Sequence, residues 1–241
     1  MSQAARIWAV VPAAGRGARM GGDVPKQYLE LAGRTILEHT LRRLLEEPRI
    51  EAIVVALAAG DVQGEGIARA CGPRVRVTQG GAERCHSVLN GITALGACDE
   101  DWALVHDAAR PCLRPDDLAR LIDELVGGSA CGGILGVPVK DTLKRCSTIG
   151  SIEATVDRSS LWHALTPQMF RAGVLRGALE AALAAGTLVT DEAQAIERQG
   201  LVPRMVEGHA DNLKITRPED LPLAELYLRA LAGAAGDGAC A

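Results

Sequence analysis

A glycine-rich stretch directly after the first apolar segment places the tightest constraint on what this chain can fold into. Residues 7–11 (IWAVV) are short and apolar, like a strand buried in a parallel sheet. The small residues that follow Pro12 are Ala13, Ala14, Gly15 and Gly17. They let backbone N–H groups approach an anion closely, and Arg19 and Lys26 add positive charge. The stretch therefore favours a site for a nucleoside triphosphate, although a plain strand-to-helix connection with solvated cations has the same composition.

Strand-like and helix-like segments alternate along the 241 residues. This alternation predicts an α/β fold in which helices cover a mostly parallel, twisted sheet. We expect one domain over residues 1–231, followed by a flexible Ala/Gly-rich tail over residues 232–241.

Three segments of the chain carry local predictions. Residues 61–71 are predicted to be a loop or a short helix, and residues 162–167 to be irregular. Thr216 has the character of the N-cap of the last helix, because Glu219 lies at the capping-box position. That helix is expected to end at about Leu231.

Residues 139–158 depart from the alternation of strands and helices. Ile152, Ala154 and Val156 alternate with polar residues, which predicts an arm of two strands around residues 147–150. A lone hairpin is only marginally stable in water, so the arm must lie against the body or against another subunit. We expect a homodimer formed through this arm; a surface hairpin packed on its own domain is the alternative.

Composition excludes several classes of partner. The formal net charge of −4 argues against a nucleic-acid-binding surface and gives no sign of membrane-surface binding. No apolar run reaches the length of a membrane span, and the N-terminus lacks a secretory signal pattern. The seven scattered cysteines contain no C-x-x-C pair, which indicates free thiols in a reducing cytoplasm.

The glycine-rich stretch fails the two best-known nucleotide-binding patterns. Gly15 and Gly17 begin a G-x-G-x-x-G pattern, but Met20 stands at its third position. A dinucleotide site would also need an acidic residue after the second strand, where residues 58–60 read Ala-Ala-Gly. The P-loop pattern is absent as well. What is left is a loop that carries two cations and follows neither pattern. Two cations placed against a triphosphate suit nucleotidyl transfer, in which pyrophosphate leaves the α-phosphorus.

Seven stretches in order along the chain give this chemistry a family context. Together they resemble the signature of the 2-C-methyl-D-erythritol 4-phosphate cytidylyltransferase family. The stretches are 12–20 (PAAGRGARM) with 25–28 (PKQY), 80–88 (GGAERCHSV), 105–111 (VHDAARP), 155–158 (TVDR), 165–168 (LTPQ), 190–193 (TDEA) and 210–216 (ADNLKIT).

The resemblance implies a reaction, a cofactor and an assembly. CTP and 2-C-methyl-D-erythritol 4-phosphate would give 4-diphosphocytidyl-2-C-methyl-D-erythritol and pyrophosphate with Mg²⁺, in non-mevalonate isoprenoid synthesis. The implied fold is a Rossmann-like, three-layer nucleotidyltransferase domain whose protruding β-arm mediates homodimerisation. Some relatives carry a fused cyclase-type domain; we expect a single activity here.

The catalytic residues expected on this basis are three cations. Arg19, Lys26 and Lys214 would hold two mutually repelling anions together as one phosphate attacks the other. The acceptor is a phosphate monoester with a second pKa of roughly 6, so it is already an anionic nucleophile and needs no general base.

The CTP site is expected to combine two backbone loops. Backbone groups of Pro12, Ala13, Ala14, Gly15 and Gly17 would cradle the triphosphate. Cytosine is expected near Gly80, Gly81 and Ser87, where backbone and hydroxyl groups can recognise its edge. Many family members carry Asp after the two glycines, where this chain has Ala82. We expect weaker CTP discrimination, not loss of chemistry.

The acceptor site is expected around the fourth strand. Asp107 follows that strand, so it would contact an acceptor hydroxyl or hold Mg²⁺; we favour the hydroxyl, and a helix-capping role is the alternative. The resemblance implies that three further residues contact the acceptor: Arg110, Thr166 and Thr190. We expect Glu192 to be a helix first-turn charge rather than a catalytic group.

Two residues of the arm are expected to complete the acceptor site of the partner subunit. Thr142 and Arg158 match family positions with that role, which would make the dimer necessary for activity. Alternatively, Arg158 pairs with Asp141 or Asp157 on its own arm.

Three other functions remain open at this point. Ribitol 5-phosphate cytidylyltransferase shares the fold and the chemistry and differs only in the acceptor. An NAD-dependent oxidoreductase is a more distant alternative, and a non-catalytic nucleotide-binding regulator is a third.

Overall fold

The computed structural model describes residues 5–15 and 24–237, the last four through their backbone alone. The strands are β1 (Ile7–Pro12), β2 (Glu30–Leu31), β3 (Arg34–Thr35), β4 (Ile50–Leu57), β5 (Val75–Gln79), β6 (Trp102–Val105), β7 (Gly132–Pro138), β8 (Leu143–Cys146), β9 (Ile152–Val156), β10 (Trp162–Arg171) and β11 (Arg204–Glu207). The helices are α1 (Ile36–Leu45), α2 (Val62–Ala70), α3 (Arg84–Leu95), α4 (Pro115–Val126), α5 (Ala172–Ala184), α6 (Glu192–Glu197) and α7 (Asp220–Asp237).

Seven strands form one central sheet in the order β11-β7-β10-β6-β1-β4-β5. The neighbours β4–β5, β1–β4, β1–β6 and β7–β11 are parallel, whereas β10 runs antiparallel to both β6 and β7. The predicted α/β class with a mostly parallel sheet is therefore confirmed. Because β1 lies between β4 and β6, the ends of these strands bring their following loops together.

Both faces of the sheet are covered by helices. Along β1, Ile7, Ala9 and Val11 pack into one core with α1, α2 and α4. Trp8 and Val10 pack on the opposite face with α3, α5 and α6. This alternation follows from the two-residue period of a strand, and it gives the three layers expected of the fold.

Of two segments with weak sequence patterns, one differs from its prediction and the other agrees with it. The predicted irregular segment 162–167 belongs to β10, which continues to Arg171. Pro167 argues against a central strand because it has no N–H. The strand accommodates it because residues 165–167 have no partner in the register with β6 or β7. The segment 61–71, predicted to be a loop or a short helix, does form a helix, α2, and Asp61 caps it by accepting a hydrogen bond from the Gly64 N–H at 2.9 Å.

The last helix begins later and ends later than predicted. It starts at Asp220 rather than after Thr216. The Asp220 carboxylate accepts hydrogen bonds from the N–H groups of Thr216 at 2.7 Å and Arg217 at 2.9 Å. The intervening residues therefore form a turn before the helix. The helix continues to Asp237, past the predicted end at Leu231, and residues 238–241 of the predicted tail lie outside the described residues.

The arm is a separate two-stranded sheet of β8 and β9. Its tip exposes Ile149 and Ile152, whose exposed fractions are 87% and 66%. Within the described residues, no helix is long and apolar enough to cross a membrane.

Candidate active site

A cleft of about 320 Å³ opens where the loops after β1 and β6 meet. It is lined by the start of the glycine-rich stretch, a 3₁₀ turn at Lys26–Tyr28, the loop leading into α3, the loop after β6 and one lysine from the C-terminal part of the chain. Its lining residues are Pro12, Ala13, Ala14, Gly15, Lys26, Gln27, Gly81, Ala82, Glu83, Arg84, Ser87, Asp107, Ala108, Ala109 and Lys214. Ligand sites in such sheets lie at the carboxyl ends of strands, and this cleft occupies that position.

The first residues of the glycine-rich stretch are held firmly against the sheet. The Ala13 N–H donates to the Ala56 carbonyl of β4 at 2.8 Å, and the Gln27 side-chain amide donates to the Ala13 carbonyl at 2.9 Å. Both contacts fix the backbone that is expected to meet the triphosphate. The predicted ligands Gly17 and Arg19 lie outside the described residues.

Gly80 and Gly81 allow the end of β5 to approach the start of the glycine-rich stretch closely. A Cβ on Gly80 would lie 2.6 Å from the Ala14 Cβ and 2.9 Å from the Ser87 Oγ, so only glycine fits. The Ser87 hydroxyl accepts from the Gly81 N–H at 3.0 Å and donates to the Glu83 carbonyl at 3.2 Å. Ser87 therefore fixes the loop, and its single proton is used within the protein.

Lys26 and Lys214 reach the same cleft from distant parts of the chain. The Lys26 ammonium donates to the Ile215 carbonyl at 3.0 Å, across 189 positions of sequence. The Lys214 ammonium lies 3.0 Å from an Asp107 oxygen. The structure thus brings together two of the three predicted catalytic cations.

Asp107 is buried among three cations. One carboxylate oxygen lies 3.1 Å from the Arg84 Nε; the other lies 3.3 Å from the Arg110 Nε and 3.0 Å from the Lys214 Nζ. Burial disfavours the charged form, but Arg84, Lys214 and Arg110 outweigh it and hold the pKa of Asp107 well below its usual range. Asp107 is therefore a carboxylate at every physiological pH.

His106 and Thr166 support Asp107 from the protein interior. The Asp107 N–H donates to the Thr166 Oγ1 at 3.1 Å, and that oxygen lies 2.9 Å from the His106 Nδ1. The His106 Nε2 lies 3.1 Å from the Arg110 carbonyl, which can only accept. The ring proton must therefore be on Nε2, and the Thr166 hydroxyl donates to Nδ1. Burial is the main reason why the pKa of His106 is lowered to about 4.

Acid is expected to destabilise the protein through His106. Between pH 6.5 and pH 4 the unfolded chain binds a proton that the folded chain excludes, so stability falls as the pH falls. Between pH 7 and pH 5 the free energy of unfolding should drop by about 2 kcal/mol from this group. Urea unfolding at the two pH values measures the change.

A histidine pair separates this effect from general acid sensitivity. His106→Gln should lose most of the drop, whereas substitution of the exposed His163 by Gln should keep it. An equal drop in wild type and in the His106 variant would contradict the assignment of the buried ring as the titrating group.

Arg110 and Asn212 complete the buried side of the site. An Arg110 terminal nitrogen donates to the Asn212 carbonyl at 2.6 Å, and the Asn212 amide donates to the Thr166 carbonyl at 2.7 Å. These bonds tie the loop that carries Lys214 to the loop after β6 and to β10. The predicted acceptor residue Arg110 is 8% exposed, so it supports Asp107 from beneath.

The other predicted acceptor residues are outside the cleft lining. Thr190 directs its N–H and its hydroxyl to the Gln194 side-chain oxygen, at 2.8 Å and 3.4 Å. Thr142 and Arg158 are exposed at the arm. In the described part of the chain Arg158 forms no ion pair with Asp141 or Asp157.

Sequence reasoning missed the role of Arg84 and Glu192. Glu192 is an acidic residue of the first turn of α6, as expected, but its side chain is also 1% exposed and accepts two hydrogen bonds from Arg84, at 2.6 Å and 3.0 Å. Both residues lie in stretches that matched the family signature, but nothing in the sequence pairs stretches that are 108 positions apart.

The residues around Asp107 do not fit a metal site. Both of its oxygens already contact cations, and a divalent ion there would face Arg84, Arg110 and Lys214. No group of three His, Cys, Asp or Glu side chains with metal-binding geometry occurs among the described residues. The cleft is suited to bind anionic groups against a cationic wall, with one fixed carboxylate for a neutral hydroxyl.

Comparison with known proteins identifies the family to which the chain is similar. A family model described as 2-C-methyl-D-erythritol 4-phosphate cytidylyltransferase matches residues 7–230. The 2-C-methyl-D-erythritol 4-phosphate cytidylyltransferase of Aeromonas hydrophila is 59% identical over 224 residues, which cover 92% of this chain and 90% of that protein. The enzyme of the same name from Pseudomonas fluorescens strain SBW25 is 54% identical, over 89% of this chain and 92% of that protein.

Solved structures agree with the sequence matches. A crystal structure of 4-diphosphocytidyl-2C-methyl-D-erythritol synthase matches with a TM-score of 0.81 and 42% identity, over 93% of this chain and 99% of that chain. The 2-C-methyl-D-erythritol 4-phosphate cytidylyltransferase of Francisella tularensis matches with a TM-score of 0.79 and 34% identity, over 92% of this chain and all of that one.

Proposed function

The chain belongs to the 2-C-methyl-D-erythritol 4-phosphate cytidylyltransferase family, and on this premise we propose that its cationic cleft is where the reaction takes place. The enzyme transfers the CMP moiety of CTP to 2-C-methyl-D-erythritol 4-phosphate. The products are 4-diphosphocytidyl-2-C-methyl-D-erythritol and pyrophosphate, in non-mevalonate isoprenoid biosynthesis.

The observation that carries this proposal is the convergence of Lys26, Lys214 and Asp107 on one cleft beside the backbone of Ala13–Gly15. Two cations and a row of backbone groups suit a triphosphate, and a fixed carboxylate suits a hydroxyl of the acceptor. A dinucleotide oxidoreductase would need neither Lys214 nor Asp107 in this position.

In the proposed mechanism the acceptor phosphate attacks the α-phosphorus of CTP, and pyrophosphate leaves. The acceptor is already an anion at neutral pH because the second pKa of a phosphate monoester is roughly 6. His106 is fully buried and both of its ring nitrogens are engaged within the protein, so it does not act as the base. Lys26 and Lys214, joined by Arg19, neutralise the charge that develops on the phosphate oxygens.

Asp107 binds an acceptor hydroxyl in this proposal. Its carboxylate is held in place by Arg84 and Arg110 and supported through its N–H by Thr166. The Lys214 Nζ lies 3.0 Å from an Asp107 oxygen and also lines the cleft. In this proposal it contacts both the acceptor and the triphosphate. Thr190 remains an acceptor contact in the proposal, at the edge of the site.

Cytosine binds near the Gly80–Gly81 loop in this proposal. Ser87 fixes that loop, so base recognition falls mainly on backbone groups. Ala82 lines the cleft with a methyl group and provides no hydrogen-bonding side chain there.

Mg²⁺ is proposed to enter the site with CTP. Triphosphate oxygens are its preferred ligands, and the buried Asp107 carboxylate in the cleft is already neutralised by cations. The ion would screen the triphosphate charge when bound.

The arm is proposed to join two subunits. Its two strands pair only with each other, and Ile149 and Ile152 leave an apolar tip exposed. A homodimer would cover this surface and place Thr142 and Arg158 near the acceptor site of the partner. A cytoplasmic location is also proposed, because the six cysteines described in the structure are free thiols.

The acceptor assay tests the proposed function. Pyrophosphate release should be rapid with CTP and 2-C-methyl-D-erythritol 4-phosphate, and slower by about 10²-fold or more with ribitol 5-phosphate, because a mispositioned acceptor loses most of the benefit of proximity. Titration with NADH serves as the control for dinucleotide binding. Turnover with ribitol 5-phosphate alone would overturn the proposed acceptor; absence of turnover with either would favour a nucleotide-binding regulator.

A further inference from the structure

A buried ion pair lies directly behind the cleft wall and has no role in the mechanism above. Glu192, at the first position of α6, is 1% exposed and accepts hydrogen bonds from both terminal nitrogens of Arg84, at 2.6 Å and 3.0 Å. Arg84 lines the cleft, whereas Glu192 does not. The carboxylate therefore cannot touch a substrate, but it determines where the guanidinium lies.

The position of Glu192 is itself fixed by β10. The Gln168 side-chain Nε2 donates to the Asp191 carboxylate at 2.9 Å, and the Gln168 side-chain Oε1 accepts from the Ala193 N–H at 2.9 Å. Asp191 also caps α6 by accepting from the Gln194 N–H at 3.0 Å. The helix end on either side of Glu192 is thus anchored to the central sheet.

Arg84 transmits this position to the acceptor-binding carboxylate. The third nitrogen of the Arg84 guanidinium, Nε, lies 3.1 Å from one Asp107 oxygen. The other Asp107 oxygen contacts Lys214 and Arg110. Although burial opposes its charge, Glu192 and Asp107 together hold the pKa of Arg84 above its ordinary value. Without Glu192, the guanidinium would have only Asp107 as a counter-ion.

We propose that Glu192 is a positioning residue for cytidylyl transfer: it fixes the Arg84 guanidinium so that Asp107 presents one oxygen to the acceptor beside Lys214. This inference rests on the proposed acceptor role of Asp107. A planar guanidinium holds two carboxylates in fixed directions, which an ammonium group cannot do. The pair therefore preorganises the acceptor site, whereas the loop that is proposed to bind cytosine is held by Ser87.

The test compares Glu192→Gln with Glu197→Gln. Glu197 lies on the same helix, is exposed and pairs with no cation among the described residues, so it is the matched control. Glu192→Gln should lower kcat/KM for 2-C-methyl-D-erythritol 4-phosphate by about ten- to a hundredfold, the range typical of lost supporting contacts. The Kd for CTP, measured by calorimetry, should stay within about twofold of wild type. Glu197→Gln should match wild type in both.

Two further variants distinguish positioning from a structural role. Arg84→Lys keeps the charge but cannot bridge both carboxylates, so its kcat/KM should fall by the same factor as expected for Glu192→Gln. This variant tests the inference independently if Glu192→Gln folds poorly. In a double-mutant cycle, adding Glu192→Gln to Arg84→Ala should cause no further loss, since Glu192 acts through Arg84.

Three results would overturn the inference. They are equal kcat/KM in the Glu192 and Glu197 variants, a rise in the CTP Kd that matches the loss of kcat/KM, and multiplicative losses in the double-mutant cycle. Failure of the wild-type enzyme to use 2-C-methyl-D-erythritol 4-phosphate would instead overturn the proposed function, so the two failures are distinguishable.

Discussion

Lys214→Ala is expected to slow the chemical step by about 10²- to 10³-fold, the range seen when one preorganised donor to a developing oxyanion is removed. The Lys214 Nζ lies 3.0 Å from an Asp107 carboxylate oxygen and lines the cleft, where the acceptor and CTP phosphates must meet. Its charge matters most in the transition state because charge builds up on the phosphate oxygens there. CTP affinity should change by less than about tenfold, since Lys26 and the loop backbone still hold the triphosphate.

Single-turnover kinetics with enzyme in excess measures the chemical step, and calorimetry with CTP measures binding. Arg217→Ala is the matched control: Arg217 is a cation of the same loop, but it is exposed and pairs only loosely with Glu219 at 3.6 Å. It should behave as wild type. Lys214→Ala should still fold, because Arg84 and Arg110 continue to neutralise Asp107. A large loss of CTP affinity with an unchanged single-turnover rate would show that Lys214 only anchors the ground-state nucleotide.

Much of the fold could be predicted because the local signals agree with the tertiary structure. The apolar run of β1 predicted a buried strand, and its residues do alternate between two cores. The strand β10 was missed because Pro167 is a strand-breaking signal, and only the interrupted register with both neighbours makes it acceptable. The start of α7 was misplaced because the Asp220 carboxylate, and not the Glu219 side chain expected from the capping box, accepts the hydrogen bond from the Thr216 N–H.

The site was predictable at the level of residues and less so at the level of contacts. Lys26, Asp107 and Lys214 follow from motifs and from the rule that ligands lie at the ends of strands. The pairing of Arg84 with Glu192 depends on how α3 and α6 pack on the sheet, which no local pattern encodes. Ser87 shows the same limit: the sequence indicated a hydroxyl near cytosine, but its proton is used by the Glu83 carbonyl.

Mixing two inactive variants should restore about a quarter of wild-type activity if the active site is shared between subunits. The first variant, Lys26→Ala, damages the body of a subunit; the second, Arg158→Ala, damages its arm. In a mixed dimer, one site would combine the intact body of one subunit with the intact arm of its partner, while the other site would carry both defects. Random mixing makes half of the dimers mixed, and each has one intact site of two.

The location of Arg158 is what makes this outcome informative. Arg158 lies exposed at the base of an arm that pairs only with itself, and it forms no ion pair among the described residues. An arm that served its own body would leave every chain with one defect, and no mixture could recover. Lys26→Ala mixed with Lys214→Ala is the control, because both changes lie in the body and no dimer regains a complete site. Recovery of activity in the first mixture alone would show that the site is shared between subunits. Native mass spectrometry shows whether mixed dimers have formed. If they have and both mixtures are equally inactive, Arg158 lies outside the acceptor site of the partner.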